Sequence, residues 1–176
     1  MSSGGEPVQP SFMKLAMVVS IALVLAACSE NDDKAKIQEL ENSGAIPKLD
    51  RSDSVAGTDN NSDGIRDDVE AYISANYAGD AQRAAARQFA KVLQDAMLVD
   101  KADPAAVKAI AVRGSRAVNC VYTHFEGMEG SKQPSRVVEE LRAVSTNTKP
   151  RLLAYLAYSK ALDGTAGALP EGDTCE

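Results

Sequence analysis

The chain has 176 residues, of which 25% are charged and 44% hydrophobic, and this is enough for one domain with its own core. Its formal net charge of −6 argues against a nucleic-acid partner, because phosphate contacts need clustered lysine and arginine. His124 is the single histidine, so the chain has little to offer for histidine-based catalysis or a histidine-rich metal site. Gly127 and Gly130 lack the spacing and the following Lys-Ser/Thr of a phosphate-binding loop, so we expect no nucleotide.

The N-terminal segment predicts export. Met13 and Lys14 precede an apolar run, residues 15–27, that is too short to span a bilayer comfortably and has the length of a signal peptide. The run ends in Leu-Ala-Ala-Cys28, which resembles the lipobox of bacterial lipoproteins, where cleavage precedes the cysteine. An ordinary secretory signal or an anchor helix is the alternative.

The lipobox resemblance covers residues 13–29 and implies that Cys28 is lipidated and holds the protein to a membrane of the bacterial cell envelope. Several acyl chains on one residue bind a bilayer firmly, whereas a single chain binds only marginally. Ser29 follows the cysteine, and by resemblance to enterobacterial sorting this implies the outer membrane, facing the periplasm. Residues 1–27 are then an upstream extension and a signal peptide.

Residues 28–57 are polar and include Gly44, Pro47 and Gly57. This composition predicts a flexible linker between the lipidated N-terminus and a domain of residues 58–176, with a short helical turn near residues 37–40.

Residues 59–70 fit the calcium-loop pattern D-x-[DN]-x-[DN]-G-x5-E over its full length. Calcium takes six to eight oxygen ligands at roughly 2.3–2.6 Å, whereas magnesium demands a tighter octahedron and is a poorer fit. Alternate side chains of a tight loop point inward, and Gly64 at position 6 permits the sharp turn. The predicted ligands, at positions 1, 3, 5, 7, 9 and 12, are Asp59, Asn61, Asp63, the backbone carbonyl of Ile65, Asp67 and Glu70.

This loop resembles the EF-hand and, more closely, the acidic calcium repeats of the thrombospondin type 3 kind. Position 8, usually apolar in an EF-hand so that it pairs with a second loop, is Arg66, and the preceding segment lacks a good entering helix. These differences favour a single structural calcium site with only an exit helix. The alternative is a polar turn followed by a helix whose first-turn carboxylates suit the helix dipole.

The rest of the chain has helical periodicity and predicts an all-α domain of about five helices joined by short loops. Four apolar stripes run over residues 65–77, 85–97, 107–125 and 137–144, separated by turn and capping residues such as Gly79 and Asp103-Pro104. In the fifth helix, which Gly164 ends, we expect the core-facing stripe to be Leu152, Leu153, Tyr155, Leu156 and Leu162.

Lipidation of Cys28 leaves Cys120 and Cys175, an even pair in an oxidising compartment. Parity and compartment predict a Cys120–Cys175 disulfide that ties down the glycine-rich tail. A second possibility is open, because Cys120 and His124 are four residues apart and share a helical face. They could form a thiolate–imidazole pair for nucleophilic chemistry or half of a metal site.

Together these features predict a non-enzymatic, calcium-binding lipoprotein that is anchored to the membrane through Cys28 and contacts an unidentified envelope protein. One alternative is a module that binds a lipid or peptide between its helices, which would require an apolar cavity. Another is an enzyme whose site involves Cys120 with His124, or Tyr155 and Tyr158.

Overall fold

The computed structural model of the protein describes Met1, residues 30–167 and residues 170–176, and divides the chain into two units at residues 46 and 47. In the first unit, helix α1 spans Glu30–Asn42, where the sequence had predicted only a short turn inside a linker. The signal segment and Cys28 lie outside the described residues. No helix in the part of the chain that the structure describes is long and apolar enough to cross a membrane.

The second unit is a bundle of five α-helices. No strand occurs among its described residues, so the predicted all-α fold is confirmed. The helices are α2 (Asp67–Asn76), α3 (Asp80–Leu98), α4 (Pro104–His124), α5 (Pro134–Ser145) and α6 (Lys149–Ala161), with a 3₁₀ helix at Gly130–Lys132 between α4 and α5.

The helix boundaries follow from local chemistry. A carboxylate oxygen of Asp103 accepts hydrogen bonds from the amides of Ala105 and Ala106, at 3.0 and 3.1 Å, so it caps the start of α4. Proline occupies the first turn of α4, α5 and α6, where the missing N–H costs nothing. After α4 the chain reverses at Gly127, whose φ of 73° suits glycine.

Helix α3 is central and packs against the other four helices of the bundle. Tyr77 and Phe125 are both almost fully buried, with their ring centroids 5.2 Å apart in an edge-to-face arrangement. The predicted stripes of α2 to α5 supply most of the core, which includes Val69, Ile73, Phe89, Leu93, Ala96, Val107, Ile110, Val121, Val137 and Leu141.

The predicted core stripe of α6 is only partly right, since Tyr155 and Leu162 pack against the core but the other three leucines of the stripe do not. Leu152, Leu153 and Leu156 are 45%, 54% and 51% exposed, whereas the buried residues of this helix are Arg151 and Tyr158. The inner face of α6 carries the guanidinium of Arg151, which pairs with Asp50 in the segment that precedes residues 59–70. Leu152, Leu153 and Leu156 lie about 100–200° around the helix from Arg151, on the surface side of the helix.

Arg66, directly before α2, is 1% exposed. Its Nε and Nη2 donate to the two carboxylate oxygens of Asp68 over 2.9 and 2.8 Å. Its Nη1 donates to the Ser145 carbonyl over 2.8 Å, and Nη2 lies 3.3 Å from the Val144 carbonyl. Because these carbonyls lie at the C-terminal end of α5, Arg66 supplies donors that the helix itself lacks.

Arg151 is fully buried at the start of α6. Its Nη1 donates to Oδ1 of Asn147 at 2.9 Å, and its Nη2 donates to Oδ2 of Asp50 at 3.0 Å. The Asp50 amide donates to Asp68 at 2.9 Å, and the Asn147 amide group donates to the Asp50 carbonyl at 2.8 Å. We call Arg66, Asp68, Asp50, Asn147 and Arg151 the buried arginine network.

The network changes the interpretation of the predicted linker. Residues 47–57 belong to the compact unit, which begins at Pro47 rather than at residue 58. Leu49 packs against the core, and Asp50 joins the buried arginine network. A polar, proline- and glycine-containing stretch is therefore fixed to the bundle by ionic and backbone hydrogen bonds, which composition alone does not reveal.

Candidate metal centre

Residues 58–66 form a closed turn ahead of α2. The turn is closed by a hydrogen bond from the Asp67 amide to the Thr58 carbonyl at 2.9 Å. Gly64 has a φ of 87°, and a Cβ atom there would stand 2.7 Å from Nζ of Lys91. The backbone conformation therefore favours glycine at position 6 of the loop, while the contact alone would require only the flexible end of Lys91 to move.

Three backbone amides orient the side chains at positions 1, 3 and 5. The Gly64 amide donates to Oδ2 of Asp59 at 2.9 Å, and the Asp63 amide donates to Oδ1 of Asn61 at 3.1 Å. The Ile65 amide donates to Oδ1 of Asp63 at 2.9 Å. Each of the three side chains thus has one polar atom held by the backbone and keeps its second polar atom for another partner.

At positions 1 and 5 the second polar atom is a carboxylate oxygen that a cation could use, whereas at position 3 it is the Asn61 amide nitrogen, which only donates. Nδ2 of Asn61 donates to Oδ2 of Asp63 at 3.1 Å and to Oε2 of Glu70 at 3.0 Å, so these three side chains meet. Oδ1 of Asp59 is buried and has no hydrogen-bond partner among the described residues. A buried carboxylate oxygen without a partner is costly, and a bound cation is one way to satisfy it.

The other two predicted ligands are placed differently. Asp67 accepts hydrogen bonds from the amide and the side chain of Asn60, the first at 3.1 Å, so its carboxylate secures the loop instead of meeting Asn61. The Ile65 side chain is 5% exposed and belongs to the core, which leaves only its backbone for ligation.

Asp63 and Glu70 perturb one another. Partial burial raises the pKa of the Glu70 carboxyl; Arg87 opposes this, and the nearby Asp63 charge adds to it. Burial also acts to raise the pKa of Asp63, but the Ile65 amide, Glu70, Asn61 and Arg87 together bring it below its ordinary value. The two carboxylates therefore differ in proton affinity, as expected for like charges that share one site.

Two cations of α3, not predicted from the sequence, contact the loop. Nη1 of Arg87 forms an ion pair with Oε1 of Glu70 at 2.6 Å and lies 3.8 Å from Oδ2 of Asp63. Nζ of Lys91 donates to the Asp63 carbonyl. Arg87 and Lys91 are four residues apart on one face of α3, which could have indicated a cationic face but not the partner of that face.

Cys120 and Cys175 form the predicted disulfide, with their Cα atoms 5.1 Å apart. A ring nitrogen of His124 and the two sulfur atoms lie within 4.8 Å of one another. Oxidised sulfur is neither a thiolate nucleophile nor a thiolate metal ligand. The Cys120–His124 pair therefore requires a reduced protein before it can act as a catalytic dyad or half of a metal site.

Tyr155 and Tyr158 line a cleft of about 520 Å³ that is bordered by α3, α4, α5 and α6. Burial, with a contribution from Tyr155, raises the pKa of the Tyr158 phenol above its ordinary value. This phenol is therefore protonated at neutral pH and is a poor general base.

Comparison of the chain with protein-family models, with curated proteins and with solved structures gave no match.

Proposed function

We propose that residues 59–70 bind one calcium ion, which stabilises the fold of a lipid-anchored bacterial envelope protein. The observation that carries this proposal is Oδ1 of Asp59, which is buried and has no hydrogen-bond partner in the described part of the chain, in a turn whose backbone amides also orient Asn61 and Asp63. The second polar atoms at positions 1 and 5, together with Glu70, are carboxylate oxygens, the hard donors that calcium prefers.

Electrostatics support a divalent ion at this position. Burial is the main cause of the raised pKa of Glu70, and the Asp63 charge adds to it, a repulsion that a cation would neutralise. Calcium would compete with Arg87 for Glu70, and the Asn61 amide would have to turn its oxygen towards the ion. Arg87 therefore acts in this proposal as an internal counter-ion that lowers calcium affinity.

The surroundings of the loop support a structural role over a sensor role. Arg66, at position 8 of the loop, is directed into the buried arginine network and contacts the end of α5. Sensor loops of this class work in pairs, and in this chain position 8 is committed to the bundle itself. We infer that calcium would fix the start of α2 rather than open a helix pair.

Calcium should raise the melting temperature of the protein. A single loop outside the cytosol has an expected Kd on the order of 10⁻⁴–10⁻³ M. At about ten times Kd, binding to the folded state adds roughly 1.4 kcal/mol, which corresponds to about 3–6 °C for a domain of this size. Melting curves in millimolar calcium and in equal magnesium measure the difference, and the rise in magnesium should be much smaller.

Variants separate the calcium site from an ordinary capped turn. Glu70→Gln and Asp59→Ala should remove most of the calcium-induced rise, whereas Arg87→Gln should lower the Kd because it removes the competing cation. Glu139→Gln, the same chemical change at an exposed position of α5, should leave the rise intact. An unmoved melting curve together with no heat in titration calorimetry up to several millimolar calcium would identify the loop as a capped turn.

We propose that Cys28 carries the membrane anchor, and this rests on the Leu-Ala-Ala-Cys motif after the apolar run. Cys28→Ser should give a protein without acyl chains that no longer partitions into detergent. Mass spectrometry and detergent phase separation of the two forms measure this directly. Acyl chains on the Cys28→Ser protein, recovered with the membrane fraction, would refute the anchor.

The proposed role is non-enzymatic and acts through protein contacts. It is supported by the exposed Leu152, Leu153 and Leu156, which give α6 an apolar outer face of the kind that protein interfaces use. The disulfide withholds the thiol of Cys120 from nucleophilic chemistry. The partner would be another protein of the cell envelope.

A further inference from the structure

The cleft that Tyr155 and Tyr158 line is mostly apolar. Its volume of about 520 Å³ lies within the range of sites that bind small molecules. Its lining includes Phe89, Val92 and Leu93 from α3, and Val118 from α4. Such a surface would take an acyl chain out of water, which favours binding through the hydrophobic effect.

Arg142, on α5, is the one charged residue among the described residues that line this cleft. Its Nε is buried and has no hydrogen-bond partner within the described part of the chain. No described carboxylate forms a salt bridge with its guanidinium, in contrast to Arg66 and Arg151, which are both paired. A buried donor without a hydrogen-bond partner is costly. The guanidinium group that carries this donor matches a carboxylate in geometry and charge.

We propose that this cleft binds a long-chain carboxylate, with the acyl chain along the apolar lining and the carboxylate on Arg142. Tyr155 and Tyr158 belong to the same lining, and their hydroxyl groups would be further polar partners for the head. A neutral or cationic amphiphile would leave the guanidinium unpaired, so the site discriminates by charge as well as by length. This proposal does not depend on calcium or on the lipid anchor.

Titration calorimetry with dodecanoate, below its micelle-forming concentration, tests the assignment. The full chain with Cys28→Ser serves as the host, since it carries no acyl chains of its own. We expect one dodecanoate per chain and binding at least about tenfold weaker for dodecyltrimethylammonium, which has the same tail and the opposite charge. Absence of dodecanoate binding, or equal binding of the two probes, would overturn the proposal.

A variant of Arg142 tests the proposed contact with the carboxylate head of the ligand. Arg142→Gln should weaken dodecanoate binding about tenfold or more without weakening the cationic probe. Arg136→Gln is the matched control on α5, because Arg136 is exposed and lies outside the cleft lining, and it should bind as the host does. Unchanged dodecanoate affinity in Arg142→Gln would contradict the proposed head contact.

Gly114→Leu should fill the cleft. A Cβ at Gly114 would stand 3.5 Å from Cγ1 of Val92, which is an ordinary contact, and leucine suits a helix better than glycine does. Dodecanoate binding should then be lost while circular dichroism remains that of the host. If Gly114→Leu does not fold, Gly114→Ala is the smaller change and should still weaken binding. Unaltered binding in a folded Gly114→Leu protein would place the ligand elsewhere and refute the assignment.

Discussion

Replacing Arg66 with methionine should lower the free energy of unfolding by roughly 3–5 kcal/mol, because it breaks a buried ion pair by removing one partner. The change leaves the Asp68 carboxylate without its guanidinium and withdraws the side-chain donors from the carbonyls at the end of α5. Methionine retains a long apolar stem, so the loss reports mainly the polar contacts. Urea unfolding followed by circular dichroism measures the change.

Two further substitutions define the cause. Arg66→Lys keeps the charge but loses the two parallel hydrogen bonds to Asp68, so it should still destabilise the protein, by about 1–3 kcal/mol. Arg136→Met removes an exposed arginine that pairs with Glu139 and should change stability by less than about 0.5 kcal/mol. A loss below about 1 kcal/mol for Arg66→Met would show that the buried arginine network contributes little.

Removing the disulfide should cost roughly 2–4 kcal/mol, because the bridge closes a long loop and so restricts the unfolded chain. Cys120 and Cys175 are 55 positions apart, and Cys120 is 1% exposed. The double variant Cys120→Ala/Cys175→Ala avoids leaving a single reactive thiol. Urea unfolding of the variant and of the native protein, without reductant, gives the difference.

Thiol counting checks the state of the two cysteines in the native protein. Intact-mass measurement after alkylation should find Cys120 and Cys175 free only when reductant is added first. His124→Ala should leave both the bridge and the stability nearly unchanged, since His124 takes no part in the bond. Two alkylated thiols in native, unreduced protein would restore the Cys120–His124 pair as a candidate site.

The helices were predictable because their signals are local. The apolar period, the Asp103 cap and the glycine breaks act within a few residues, and the structure has α2 to α5 where those signals put them. Three leucines of the α6 stripe were misplaced because periodicity identifies a face by hydrophobicity, whereas the buried face of this helix carries Arg151, which pairs with Asp50. An arginine whose partner lies 101 positions away carries no local signal of burial.

In the candidate site, too, the features with a local sequence signal were predictable and those that depend on helix packing were not. The loop's spacing predicts which side chains share one turn, and Asn61, Asp63 and Glu70 do meet. Arg87 could not be assigned to this site from the sequence, because its approach depends on how α3 packs against α2. The apolar cleft and Arg142 were equally hidden, since a cavity is a property of several helices together.

The buried arginine network also bears on the order of folding. Arg66 and Ser145 are 79 positions apart, and Asp50 and Arg151 are 101 apart, so their hydrogen bonds need long loops to close. We expect these bonds to form after the folding transition state, in which case they slow unfolding more than they speed folding. The network would then act chiefly on the lifetime of the native state, which governs resistance to irreversible inactivation. Chevron kinetics of Arg66→Met should show a faster unfolding limb and a nearly unchanged folding limb, and a slowed folding limb instead would place the network in the nucleus.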